Sequence, residues 1–138
     1  ESFIIMDIKL VVCVALIDKD GRVLIAQRPE GKNLAGFWEF PGGKVEKNES
    51  PETALIRELH EELGINTWGS CLAPLTFASH KYDEFHLLMP LYICRKWHGI
   101  VQAREDQALK WLTPAQIFKV KMLPADLPLV ACLRDLLS

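Results

Sequence analysis

Apolar positions come in two rhythms along this chain. Ile8–Ile17 is an almost unbroken apolar run that stops at Asp18-Lys19-Asp20-Gly21, a turn signal, and Val23–Gln27 resumes it. The pair reads as a β-hairpin. Arg28–Phe37 is polar and glycine-containing, then Trp38–Phe40 makes a short strand leading into Pro41-Gly42-Gly43, where bare backbone can approach a ligand. The second rhythm is helical: Leu55, Leu59 and Leu63 recur every four residues between Ser50-Pro51-Glu52 and Gly64. Ser as N-cap, Pro at the first helical position and Gly as stop predict one helix with an apolar stripe. Further on, Leu72–Ser79 and Phe85–Trp97 are predicted strands around a polar turn at Lys81–Glu84. Ala108–Leu112 is a short strand, Thr113-Pro114 starts a brief helix, Pro124–Pro128 is a loop and Leu129–Leu137 a closing helix. Strands and helices without a βαβ repeat favour a mixed α/β (α+β) sandwich.

Length and composition narrow the possibilities. The chain has 138 residues, of which 49% are hydrophobic, so a single domain over residues 1–138 with a packed core is expected. Glu1–Met6 lacks the basic start and cleavage site of a signal peptide, and is expected to be disordered or extraneous to the domain. Net charge is −2, which excludes a basic footprint for long nucleic acid. A small anion would need a local site instead. No apolar run approaches the roughly 20 residues of a membrane span. Cys13, Cys71, Cys94 and Cys132 are scattered without a C-x-x-C pair, which argues against zinc or disulfides and makes the cytoplasm the default compartment. His60, His80, His86 and His98 have no ligand spacing and read as structural.

Chemistry concentrates on the predicted helix. Glu58, Glu61 and Glu62 stand at i, i+3 and i+4, on the face opposite the leucines. Such like charges repel by a few tenths of a kcal/mol per pair on an exposed helix, and a cation would reverse the penalty. Hard carboxylate oxygens suit Mg²⁺ or Mn²⁺. A solvated acidic face is the ordinary alternative. The surrounding pattern decides against it: Gly43, Glu49, Arg57, Glu58, Leu59, Glu61, Glu62, Gly64 and Ile65 fit G-x5-E-x7-R-E-U-x-E-E-x-G-U, with U apolar. So many defined positions at fixed offsets, on a segment read independently as loop–helix–loop, make chance agreement improbable.

This segment resembles the Nudix box of the Nudix hydrolases. Trp38–Lys44 (WEFPGGK), Ala26–Pro29 (AQRP) and Pro124–Pro128 (PADLP) extend the similarity to the MutT-like branch. The resemblance implies an α/β/α sandwich with a mixed sheet, a Mg²⁺ or Mn²⁺ requirement, and water attack on a phosphoanhydride. It implies a nucleoside triphosphate as partner, with no membrane and no obligate protein partner. By the same resemblance Glu58, Glu61 and Glu62 are metal ligands, with the Gly42 carbonyl and Glu105 as further ones. Either Glu105 or Glu58 is the general base. Arg57, together with Glu49, would hold the carboxylates in place by charge-assisted hydrogen bonds. Arg28 and Lys44 are candidate phosphate contacts; Asn33, Glu39, Phe40 and Pro41 complete the substrate site.

The base reader implied by the resemblance is Asp126. An ionised carboxylate only accepts, which suits N7–H of 8-oxoguanine or the N4 amino group of cytosine and opposes O6 unless protonated. A cap on the closing helix is the competing role for Asp126. Asn33 and Phe85 depart from the basic side chains of the branch. The expected activity is therefore conversion of 8-oxo-dGTP to 8-oxo-dGMP and pyrophosphate, a mutation-avoiding function. A CTP, dCTP or 5-methyl-dCTP pyrophosphohydrolase is the alternative. A non-catalytic nucleotide sensor ranks far behind, because such a module could lose box carboxylates that this chain retains.

Overall fold

The computed structural model describes residues 7–138, so the expectation for Glu1–Met6 lies outside the described residues. Strand β1 (Ile8–Leu16) lies inside a four-stranded mixed sheet. It runs antiparallel to β4 (Gly42–Lys44) and parallel to β6 (His86–Cys94), which pairs antiparallel with β5 (Leu72–Lys81). A second, antiparallel sheet orders β3 (Trp38–Glu39), β2 (Val23–Gln27) and β7 (Ala108–Leu112).

The unbroken apolar run of β1 has a simple cause: both of its faces are covered. Val12, Val14 and Leu16 join Leu55, Leu59 and Leu63 of helix α1 (Pro51–Leu63) in one core. Cys13, Ala15 and Ile17 face the other way, into a core with Leu129, Val130 and Leu133 of helix α3 (Leu127–Leu137). Helix α2 (Pro114–Ile117) closes that second core through Ile117. The result is the expected α/β/α sandwich. Removing one of the fully buried leucines would cost about 2–5 kcal/mol.

Three expectations need correction. The hairpin between β1 and β2 does not form, although its turn does: Asp18 Oδ1 accepts from the amides of Asp20 and Arg22, and Gly21 takes φ +77°. Pairing ends after the single bridge Ile17–Val23. β1 is taken up by β4 and β6, and β2 by β3 and β7, because each needs partners along its length. Next, Gly42-Gly43 belongs to a short strand rather than an open loop. Finally, Pro124–Asp126 is a 3₁₀ turn continuous with α3, which begins at Leu127.

Helix α1 starts and stops as its sequence dictates. The Ser50 side chain accepts from Thr53 N–H, and Gly64 ends the helix at φ +70°. Helix α2 carries a full capping box between Thr113 and Gln116. All four cysteines are free, two of them buried. Among the described residues no helix is long and apolar enough to cross a membrane.

Candidate functional site

A cavity of about 380 Å³ opens between α1 and the turn that precedes α3, floored by Val11, Val12 and Cys13 of β1. The parallel pairing of β1 with β6 skips Val11 and Val12, opposite Met89 and Pro90, and proline has no N–H to offer there. Glu58, Glu62 and Glu105 line one part of the wall, and Phe40, Ala125 and Asp126 another. A smaller recess continues past Gln27, Pro29, Pro41 and Gln107.

Arg57 organises the acidic part. Its Nε and Nη2 hold both oxygens of Glu49 at 2.7 and 2.9 Å, and its Nη1 reaches Glu58 Oε1 at 2.9 Å and Glu61 Oε2 at 3.4 Å. Nη2 also donates to the Lys44 carbonyl at 3.2 Å, tying helix to strand. The bidentate fork drives the Glu49 carboxyl down to about 2 and pushes the guanidinium further up. Such a cluster places Glu58 rather than merely pairing charges on a surface.

Glycine permits the close approach of β4 to α1. A Cβ on Gly43 would lie 2.4 Å from the Glu58 carboxyl carbon, and one on Gly42 would lie 2.0 Å from the Val12 carbonyl oxygen. Gly42 N–H donates to Glu62 Oε2 at 3.2 Å. That bond is not enough to keep Glu62 easily ionised. Burial, then the charges of Glu58 and Glu105, push its carboxyl up to about 8. Glu58 is raised too, chiefly by burial, with Arg57 opposing. The acidic wall thus holds carboxyls whose charged forms are disfavoured first by burial and then by one another. Among the described residues, no three His, Cys, Asp or Glu groups close into a ready ligand cage. The carboxylates share a cavity wall without forming a coordination shell.

The other part of the cavity is drier. Asp126 is 2% exposed, and its Oδ2 accepts the Phe40 N–H at 3.0 Å. It occupies the N-cap position of α3 but makes no side-chain cap bond, so the capping role is not the one its carboxylate plays. Burial raises Asp126 to about 7, with Glu39 adding to the shift and the Phe40 N–H and Arg28 opposing it. Near neutrality it is poised between a donor-bearing acid and an accepting carboxylate.

The remaining expected residues fall unevenly. Glu39, Phe40, Arg28 and Lys44 line the cavity, and Pro41 lines the recess. Arg28 is already engaged: Nη1 lies 3.3 Å from both Glu39 oxygens and Nε donates to the Asn33 carbonyl at 2.7 Å. Asn33 lines neither space; its backbone serves Arg28 instead. Glu61 also stays outside both, on the exposed flank beside Arg57. Phe85 stacks on Tyr82, which lines the cavity. Sequence reasoning missed Lys32, Tyr82 and Gln107. Lys32 lines both spaces; its basic charge in a polar loop was the only signal available. Nothing local in the sequence distinguishes Tyr82 or Gln107.

Comparison with known proteins bears on the family and the fold. Residues 12–132 match the model of the NUDIX domain. A curated CTP pyrophosphohydrolase of Escherichia coli is 43% identical over 122 residues, covering 86% of this chain and 87% of that protein. An 8-oxo-dGTP diphosphatase of the same organism is 30% identical over 129 residues, covering 93% and 98%. The solution structure of the E. coli ORF135 protein superposes with a TM-score of 0.84 at 36% identity, covering 95% of this chain and 91% of that one.

Proposed function

The chain belongs to the NUDIX domain family, and from that membership we propose that it is a pyrophosphohydrolase of nucleoside triphosphates dependent on Mg²⁺ or Mn²⁺. Its substrate is 8-oxo-dGTP, released as 8-oxo-dGMP and pyrophosphate. The observation that carries this reading is one cavity with two chemistries: clustered carboxylates on one wall, and a buried carboxyl with an aromatic residue on another. A triphosphate with its metal fits the first, a base the second.

The donor set suits a hard divalent cation. Glu58, Glu62 and Glu105 offer carboxylate oxygens; burial raises the Glu62 pKa most, and the neighbouring charges of Glu58 and Glu105 add a repulsion that a cation would relieve. When bound, such an ion neutralises phosphate charge and lowers the pKa of water. The chain's own groups do the rest. Arg57 keeps Glu58 pointed inward, and Gly42 N–H does the same for Glu62. A carboxylate of this wall takes the proton of the attacking water. Lys32 and Lys44 supply positive charge for the phosphates, and Arg28 braces the loop around them through Glu39 and Asn33.

At the base, Phe40 and Asp126 select. Oδ2 of Asp126 is committed to the Phe40 amide, leaving the other oxygen for the ligand. Protonated, it would donate to O6 of 8-oxoguanine; ionised, it would accept from N7–H. A second reading is favoured by the 43% identical CTP pyrophosphohydrolase: an ionised Asp126 would accept equally from the N4 amino group of cytosine. The test is pyrophosphate release from nucleoside triphosphates with and without Mg²⁺. Release that needs Mg²⁺ and is abolished by Glu62→Gln with the fold intact supports the proposal. Metal-independent release, or none from any triphosphate, overturns it.

A further inference from the structure

The proposed role of Glu105 raises a physical question, because the residue sits on an exposed loop with little to hold it. The incoming limb is fixed by backbone bonds to the end of α1: Gln102 N–H to the Leu63 carbonyl at 2.9 Å, and Arg104 N–H to the Glu62 carbonyl at 3.0 Å. The outgoing limb is fixed by β7, where Ala108 pairs with Gln27 of β2. Between them, Asp106 takes a left-handed φ of +58°, a turn that Asp tolerates better than most side chains and that by itself enforces no position on Glu105.

Gln107 supplies the enforcement. Its Nε2 donates to the Glu62 carbonyl at 3.0 Å, and its Oε1 accepts the Glu105 N–H at 2.8 Å. One half-buried amide therefore connects the backbone of the two residues whose carboxylates share the acidic wall. A side-chain amide has both a donor and an acceptor to spend, and here the donor is spent on the end of α1 and the acceptor on the Glu105 loop.

We propose that Gln107 is a positioning residue, which locks the Glu105 loop to the last turn of α1 so that the Glu105 carboxylate is held beside Glu58 and Glu62. This inference rests on the functional reading above, yet it makes a structural claim that can be tested separately. Gln107→Met keeps length and bulk while losing both hydrogen bonds. In the metal-free protein, amide exchange at Glu105 should accelerate by about tenfold or more in this variant, while exchange in the core strands stays unchanged. Unchanged exchange at Glu105 would overturn the tie, whether or not the protein hydrolyses nucleotides.

The functional half is a double-mutant cycle on kcat with Mg²⁺. Gln107→Met should lower kcat by about tenfold or more, with KM within about twofold. In a Glu105→Gln background the same substitution should cost almost nothing further, since its effect passes through Glu105. Equal losses in both backgrounds would mean a general structural role and overturn the proposal. An unchanged kcat in the single variant would overturn it too. If the wild-type protein released no pyrophosphate, the functional reading would fall while the exchange measurement still decided the tie.

Discussion

Two of the cavity's carboxyls, Glu62 and Asp126, have pKa values raised chiefly by burial and differ in the charges that add to it. Glu62 is pushed up to about 8 by burial together with the charges of Glu58 and Glu105. Asp126 reaches about 7 mainly by burial, with the Phe40 amide pulling the other way. A cation relieves the first situation, because the penalty there includes like-charge repulsion. A hydrogen-bonding partner relieves the second, because that carboxyl lacks solvent more than it lacks countercharge. One fold thus buries a carboxyl on each wall, with like charges beside the one on α1 and, among the described residues, no carboxylate cluster beside the one before α3.

If the comparison holds, Glu62→Gln has the largest effect. It should lower kcat by about 10³-fold, within the range general for lost metal and acid–base chemistry. The melting temperature of the metal-free protein should not fall, since a strained carboxylate is removed. A variant with wild-type kcat would break the distinction between the two walls.

The pH dependence of stability comes next. The ordinary pKa of Asp126 is 3.8 and its folded value about 7. Between those values the folded state holds a proton that the unfolded chain has released, so stability falls as pH rises through this window and levels off above it. The decline attributable to Asp126 is on the order of 4 kcal/mol. Denaturant midpoints from pH 4 to 8 should show a shallower decline in Asp126→Asn; an identical slope would remove burial as the cause of the shift.

Gly43→Ala separates geometry from stability. The added methyl meets the flexible end of Glu58, which can swing aside, so unfolding free energy should change by less than about 1 kcal/mol. Displaced from Arg57, that carboxylate should nonetheless cost about tenfold or more in kcat. A large stability loss with normal activity would contradict the proposed placement.

Asp126→Asn has the smallest effect and the most diagnostic one. The asparagine oxygen can still accept from Phe40, turning its NH₂ towards the base. Preference for 8-oxo-dGTP over dCTP should rise by about tenfold, because the new donor suits O6 and rejects the cytosine amino group. An unchanged ratio would mean that Asp126 does not read the base.

The two walls also differ in how far the sequence reveals them. Glu58 and Glu62 lie one turn apart on one helix, so a fixed period placed both on the cavity face while leaving Glu61 on the exposed flank, and the caps at Ser50 and Gly64 marked the helix ends. The base wall joins Phe40 to Asp126 across 86 positions, and no local period encodes that meeting. Lys32, Tyr82 and Gln107 escaped for the same reason: each gains its meaning from a partner distant in sequence or from the cavity itself. The β1–β2 hairpin misled because its turn signal was genuine. A turn chemistry fixes only the reversal of the chain, whereas long-range pairing decides which sheet each strand joins.

The most direct test of the account is kcat/KM for 8-oxo-dGTP, dGTP, dCTP and 5-methyl-dCTP with Mg²⁺, scored by pyrophosphate release. The account predicts that 8-oxo-dGTP is hydrolysed at least about tenfold more efficiently than the other three, a margin that one well-placed hydrogen bond can supply. Higher efficiency on the cytosine nucleotides would contradict the assigned substrate and give Asp126 the N4 amino group to read. No pyrophosphate from any of the four would contradict the proposed activity on these triphosphates.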